Sequence, residues 1–329
     1  MTRLMIYGAT GYTGRMAAAH ARAAGLDLIL AGRDEVRLAA LGGSLGAEHR
    51  AFALDEDALV GATLHDVAVL LNCAGPFQRT AEPLMRAAIR AGAQYLDIAA
   101  ELDSYCLAEA YDAQAQAAGV MLLPGSGGSV AMLGSLAGRA AERVWRPHTI
   151  RVALHVAGAM SRGSAISAAE NLTAECLERT EGVLRSREPG TTREFDFGSG
   201  LVPCFPVTLP DLVTLWRALQ APNIGTFVHV SDGAFPSGDL AALPDGPSTR
   251  EREANRYQAS VEVTGAGGET VRAILDTVNG YSFTPLAGAE AARRVLAGEA
   301  RSGFQTPAGL FGHGFAETIA DTTIQILQD

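Results

Sequence analysis

Residues 4–15, Leu-Met-Ile-Tyr-Gly-Ala-Thr-Gly-Tyr-Thr-Gly-Arg, run from a short apolar stretch into three glycines, Gly8, Gly11 and Gly14, and on into an alanine-rich segment. A strand that ends at Gly8 must turn sharply, Gly11 has no side chain to hold a diphosphate away from the backbone, and Gly14 lets the next helix pack close to the strand. The start of that helix offers N–H groups without intrahelical acceptors and a partial positive charge, which suits phosphate. Strand, triplet and helix follow in the order that a dinucleotide fingerprint requires, here with G-x-x-G-x-x-G spacing. The expectation is a parallel α/β sheet with a dinucleotide on Gly8, Thr10, Gly11, Tyr12, Thr13 and Gly14.

The second strand, residues 28–31, ends in Gly32-Arg33-Asp34. An NAD enzyme places a carboxylate there for the ribose 2′-hydroxyl, a role glycine cannot take. Arg33 can pair bidentately with a 2′-phosphate and lay its guanidinium plane on adenine, so NADP is the expected cofactor. The alternative is a solvated Arg33 with Asp34 as the ribose ligand, one position late.

Further on, Val67–Asn72 is a continuous apolar run closed by Cys73-Ala74-Gly75-Pro76-Phe77, small residues that suit a backbone approaching a cofactor. A helix at 81–91, a strand at 95–99, a helix at 104–118 and a strand at 120–124 complete a doubly wound pattern. Ligands in such sheets bind beyond the carboxyl ends of the strands, so residues 8–14, Gly32, Arg33, Asp55, the turn 72–77 and residues 99–101 should share one rim. Beyond Pro124, residues 125–129 read as a flexible crossing into a helix of small residues. Strands at 149–157, 226–231, 257–264 and 269–276 then come without regular helical crossovers, which suggests a mixed or antiparallel sheet, and a helix is expected at 285–297. Pro and Gly density rises over residues 232–247. The expected domains are 1–124 and 125–329, with a return of the C-terminal segment to the first domain left open.

With 329 residues, 48% of them hydrophobic, the chain can bury a core large enough for two domains. A formal net charge of −10 speaks against nucleic acid and anionic membranes as partners. No apolar run approaches the ~18 residues of a membrane span. With a first strand starting at about Arg3, no leader is expected, and the cytoplasm is the expected compartment. Cys73, Cys106, Cys176 and Cys204 form no C-x-x-C pair, so neither a metal site nor a disulfide framework is expected. All 26 Lys+Arg residues are arginine. A tyrosine–lysine proton relay and Schiff-base chemistry are thereby excluded.

Five motifs in order carry a family resemblance: Gly8-Ala9-Thr10-Gly11-Tyr12-Thr13-Gly14-Arg15, Asn72-Cys73-Ala74-Gly75-Pro76-Phe77, Tyr95-Leu96-Asp97-Ile98-Ala99-Ala100-Glu101, Pro124-Gly125-Ser126-Gly127, and Thr306-Pro307-Ala308 with Phe311-Gly312. Over nearly its whole length the chain resembles the saccharopine dehydrogenase-like oxidoreductases, which include saccharopine reductases and proteins similar to trans-acting enoyl reductases. The resemblance implies a Rossmann doubly wound parallel sheet with a second α/β domain built on a mixed sheet. By matching position it also implies cofactor contacts from residues 8–15, Arg33, Asp55, Cys73, Ala74, Gly75, Pro76 and Phe77. Ala100 stands where a glycine is common, and Ser126-Gly127-Gly128 where Cys-Gly-Phe is frequent. These departures bear on the substrate rather than the cofactor.

The candidates for chemistry are few. Glu101 could orient substrate or relay a proton, or else cap the following helix. Tyr12 could reach the nicotinamide side or pack over the diphosphate. His155, with Arg151 nearby, could face a cleft or be structural, and Arg162 could hold a substrate carboxylate or form a surface salt bridge. Semialdehyde dehydrogenases need a cysteine on the Pro-Gly loop, where this chain has serine, and Cys73 reads as a small buried hydrophobe under the nicotinamide. The expected activity is NADP(H)-dependent hydride transfer to a small imine, carbonyl or enoyl substrate, with a non-catalytic NADP(H) sensor as the alternative. The hairpin at 257–276 has one apolar and one polar face, and a homodimer paired through this second-domain sheet is expected, with a monomer whose polar face is solvated as the alternative.

Overall fold

A computed structural model describes residues 2–55, 57–171, 175–188, 190–231 and 239–327, without the side chains of 57–59, 170, 171 and 241. Residues 232–238, part of the stretch 232–247 where Pro and Gly concentrate, lie outside the described residues. The chain divides into two compact units, Met1–Gly128 with Thr284–Thr306, and Ser129–Phe283 with Pro307–Asp329. Among the described residues no helix is long and apolar enough to cross a membrane.

The elements run β1 (Arg3–Tyr7), α1 (Tyr12–Ala23), β2 (Asp27–Gly32), α2 (Glu35–Leu45), β3 (Glu48–Ala51), α3 (Asp57–Thr63), β4 (Val67–Asn72), α4 (Phe77–Ala91), β5 (Gln94–Asp97), α5 (Leu102–Ala110), α6 (Asp112–Ala117), β6 (Met121–Leu123) and α7 (Gly128–Ala141). After them come β7 (Pro147–Val156), α8 (Arg162–Asn171), β8 (Leu177–Thr180), β9 (Val183–Ser186), β10 (Arg193–Asp196), β11 (Leu201–Pro206), α9 (Asp211–Leu219), β12 (Asn223–Val230) and α10 (Thr249–Ala254). The rest is β13 (Tyr257–Gly265), β14 (Thr270–Thr277), α11 (Gly280–Leu296), β15 (Gly303–Phe304), α12 (Pro307–Phe311) and β16 (Thr323–Ile326).

In the first unit seven parallel strands lie in the order β15-β6-β5-β4-β1-β2-β3. The strand order reverses beside β1, whose neighbours are β2 and β4, which makes the β1/β4 edge the switch point where ligands of such sheets bind. Leu4, Met5, Ile6, Leu70 and Leu71 are wholly buried because helices cover both faces. α1 turns Gly14, Ala17, Ala18 and Ala21 inward, and side chains this small let it lie close to the sheet.

Some expectations are corrected. The helix expected at 104–118 is two helices, α5 and α6, meeting at Tyr111. The helix expected from 81 starts at Phe77, whose ring is buried, and runs on through Pro83. Residues 121–127 are all buried, so the segment read as a flexible crossing is a packed turn.

In the second unit the path β10-β11-β12-β7-β13-β14-β16 forms a mixed sheet, with β8 paired to β12 and to β9. β7 and β12 are parallel, and β13 is antiparallel to both β7 and β14. Ala259, Val261, Val263, Ala273 and Leu275 of the β13–β14 hairpin are buried on one face. The polar face is not bare. β10 is laid across it: Arg193 reaches Glu262 at 2.7 Å, and Phe195 and Phe197 pack in one core cluster with Ala153 and Phe227. Phe197 also stacks at 5.6 Å from His155. Part of the polar face is thus covered by the chain itself. At the head of α9, Asp211 is fully buried, and among the described residues neither carboxylate oxygen has a hydrogen-bond partner beyond its own backbone amide.

Candidate cofactor site

The turn after β1 is held close from several sides. Gly8 has φ +81°, a region open to glycine, and a Cβ there would lie 2.7 Å from the Ala74 nitrogen. A Cβ on Gly14 would collide with the Gly8 carbonyl, which allows α1 to start hard against the turn. Backbone bonds from Gly8 and Ala9 to the Ala31 carbonyl, at 2.8 and 3.1 Å, tie the turn to the end of β2. Gly11 is the exposed N-cap of α1, and no side chain caps that helix. The arrangement is a backbone cradle at a helix N-terminus, with room where Gly11 lacks a Cβ, and it fits a dinucleotide diphosphate.

At the end of β2, Arg33 is exposed. Asp34 is occupied as the N-cap of α2, where it accepts the Arg37 amide at 3.0 Å, so this carboxylate serves the helix. Arg37 is a residue that the sequence reading missed. Its guanidinium donates to the Thr10 carbonyl at 3.1 Å, and Arg15 donates to the same oxygen at 2.8 Å. Its position in the first turn after Arg33 was the available signal. Arg33 and Asp55 both lie within electrostatic reach of Tyr7, whose phenol is pushed up chiefly by burial, with Arg33 opposing and Asp55 adding.

The turn after β4 faces the glycine turn through Ala74. Asn72 is fully buried and organises it: its Oδ1 accepts the Ala74 amide at 3.0 Å, and its Nδ2 donates to Thr80 at 3.1 Å and Tyr95 at 3.3 Å. Tyr95 donates to Asp97 at 2.9 Å. Asp97, at the end of β5, also accepts the amides of Ala99 at 3.0 Å and Gly125 at 2.8 Å, while its carbonyl takes both the amide and hydroxyl of Ser126. Burial pushes its carboxyl up to about 6, against the opposing pull of these donors. Asp97 therefore holds the 99–101 and 125–126 turns together, which explains why the Pro-Gly segment is packed. It was visible only as one letter of a motif.

Cys73 is half-buried, and its thiol is pushed up to about 12 by burial, with Asp97 adding. At neutral pH it is not a thiolate nucleophile. Phe77, at the head of α4, is buried beside Pro76.

Glu101 is 6% exposed and stands at the N-cap of α5 without capping it; its Oε2 accepts the Ala100 amide at 3.0 Å. Tyr12, half-buried, opens α1. Gly8, Thr10, Gly11, Tyr12, Thr13, Gly14, Arg33, Asp55, the turn 73–77 and Glu101 all belong to the first unit. His155 does not. It lies on β7 in the second unit, with Ser231 at 3.0 Å, Gln258 at 3.3 Å and the His229 ring at 5.0 Å. Arg162, also in the second unit, binds Asp245 at 2.5 Å and the Leu243 carbonyl at 3.2 Å.

A parallel sheet that reverses order beside a glycine turn, joined to a unit with a mixed sheet, defines a two-unit α/β fold of the dinucleotide-binding class. Residues 4–123 match the saccharopine dehydrogenase NADP binding domain, which makes the first unit an NADP-binding domain of that type. The chain is similar in fold to apo saccharopine dehydrogenase (L-Glu forming) from Saccharomyces cerevisiae, with a TM-score of 0.66 over 100% of both chains at 12% identity. It is 36% identical over 106 residues to the trans-acting enoyl reductase of Mycobacterium ulcerans (strain Agy99), covering 30% of this chain and 25% of that protein. The trans-acting enoyl reductase of Mycobacterium tuberculosis (strain ATCC 25618 / H37Rv) is 35% identical over 106 residues, with the same 30% and 25% coverage. The match thus spans about a quarter of these relatives' length.

Proposed function

We propose that the chain is an NADP(H)-dependent oxidoreductase that reduces a small imine, carbonyl or enoyl substrate. The observation that carries this reading is an uncapped glycine turn with Arg37 on its Thr10 carbonyl, and the exposed Arg33 at the end of β2, in a domain that matches the saccharopine dehydrogenase NADP binding domain. Gly8, Gly11 and Gly14 keep side chains away from the diphosphate, and Thr10, Tyr12 and Thr13 border it. Arg33 pairs with the 2′-phosphate, with Arg37 beside it, and Asp55 completes that end. Cys73, Ala74, Gly75, Pro76 and Phe77 let the backbone approach the nicotinamide end. Glu101 orients the substrate through a carboxylate oxygen. When bound, the nicotinamide supplies the hydride, and this chain supplies position and electrostatics. The enoyl reductase relatives and the saccharopine dehydrogenase fold both support a polarised double bond as the substrate group. Oxidation of NADPH in the presence of a panel of imines, ketones and enoyl thioesters tests the activity; a chain that binds NADPH but turns over none of them would be read as the sensor instead.

Cofactor choice gives a sharper test. Calorimetric titration is expected to show tighter binding of NADPH than of NADH. Arg33→Ala should weaken NADPH alone by about ten- to hundredfold, the loss of one charge-assisted contact of roughly 1.5–3 kcal/mol. Equal wild-type affinities for the two cofactors would reject the assignment of Arg33.

A further inference from the structure

Entirely within the second unit, a cavity of about 420 Å³ opens among the starts of β7 and β12, the β8–β9 hairpin and the approach to β10. That size suits a small molecule. The described residues lining it include four arginines, Arg151, Arg179, Arg187 and Arg193, and one carboxylate, Glu178. Behind them Glu262 is shared by Arg151 at 3.2 Å, Arg193 at 2.7 Å and Arg272 at 3.2 Å. Arg187 meets Glu178 at 3.7 Å. These five arginines carry five formal positive charges against two negative ones, in a chain whose net charge is −10.

The guanidiniums are also held in place. Arg187 lies over the Phe227 ring at 4.6 Å, and Arg179 lies over Trp216 at 5.0 Å while donating to the carbonyls of Leu212 and Gly182. Donors fixed in advance lose little side-chain freedom when an anion arrives. A Cβ on Gly225 would stand 3.2 Å from Phe227 and 3.6 Å from Arg187, so glycine keeps the space beneath the arginine open. We propose that this cavity binds a small molecule bearing two or more oxyanion groups, phosphoryl or carboxylate, with Arg187 and Arg193 making the principal contacts.

The test is calorimetric titration of the full chain at about 0.15 M NaCl, where weak surface attraction is largely screened. Pyrophosphate and citrate are the two probes. One-to-one binding of either supports the site, and the tighter probe distinguishes phosphoryl from carboxylate recognition. Arg187→Gln and Arg193→Gln should each weaken the preferred probe at least about tenfold, and Arg187→Lys, which keeps the charge but loses the fork, should recover only part of that loss. NADPH affinity should be unchanged in all three variants, and thermal melts with transitions like that of the wild type report that the second unit is folded. The proposal is overturned if neither probe binds the wild type, or if the variants bind as well as it does. A third overturning result is light scattering in which the variants turn a two-chain mass into one with probe binding unaffected, since the arginines would then belong to a contact between copies.

Discussion

Gly11→Val is expected to lower NADPH affinity by more than about a hundredfold, some 2.7 kcal/mol, while leaving the melting temperature within a few degrees of wild type. Gly11 is exposed at the N-cap of α1, with an ordinary φ of −73°. A Cβ there would stand 3.2 Å from the Gly8 carbonyl, a distance the turn accommodates by yielding slightly. Valine is a poor N-cap, at a cost of about 1 kcal/mol, but its branches project where the diphosphate must lie. The neighbouring glycines serve as controls. Gly14→Ala collides with the Gly8 carbonyl, and Gly8→Ala combines φ +81° with a Cβ 2.7 Å from Ala74, so both should lose stability together with binding. Calorimetry and thermal melts on the three variants separate the two effects. Unchanged NADPH affinity in Gly11→Val would show that the cofactor lies elsewhere.

Asp211→Asn is expected to stabilise the protein at alkaline pH and to remove much of its pH dependence. Burial without a partner beyond its own amide raises the Asp211 carboxyl from its ordinary 3.8 to about 7. Between those values the folded chain still holds a proton that the unfolded chain has released. Stability is therefore full below about 4, falls as the pH rises through this window, and levels off above about 7. Roughly three units at about 1.36 kcal/mol each amount to about 4 kcal/mol. The asparagine variant should match wild type near pH 4 and exceed it by up to that amount above pH 8. Asp97, raised to about 6, contributes in the same direction, so the variant keeps a shallower slope that ends near pH 6. Urea unfolding at both ends of the range checks this. The same stability difference at both ends would mean that Asp211 is ionised in the folded chain.

The parts legible in the sequence share a physical character. β1 and β4 are buried on both faces and therefore read as unbroken apolar runs. The β13–β14 hairpin alternates with period two and turns on glycines, and its apolar face is the buried one. By contrast β3 is Glu-His-Arg-Ala, an edge strand whose Arg50 reaches Asp66 and Glu48, and no hydrophobic period marks it. β8, β9 and β10 are likewise four residues each, and charged or polar residues interrupt them so that no apolar stripe marks them. Within the candidate site the glycine turn and Arg33 were legible because their conformational and charge requirements are local. Arg37 and Asp97 were not, since each acts through a partner on another segment.

By itself, then, the sequence determined a strand–glycine–helix turn, an arginine after the second strand, a parallel first sheet and a mixed second one. Each depends on steric and hydrophobic demands spanning a few neighbouring residues. Only the tertiary structure decided that residues 303–304 return to pair with β6, that Asp97 gathers the 125–126 turn, and that β10 crosses β13 to set Arg193 on Glu262, 69 positions away. It also brought Arg151, Arg179, Arg187 and Arg193 around one cavity. Periodicity reports which face of a strand is buried, but not which strand or side chain will lie against the other face. That choice belongs to the packing of the whole unit, where burial of Phe195 and Phe197 carries the arginine of β10 to its carboxylate.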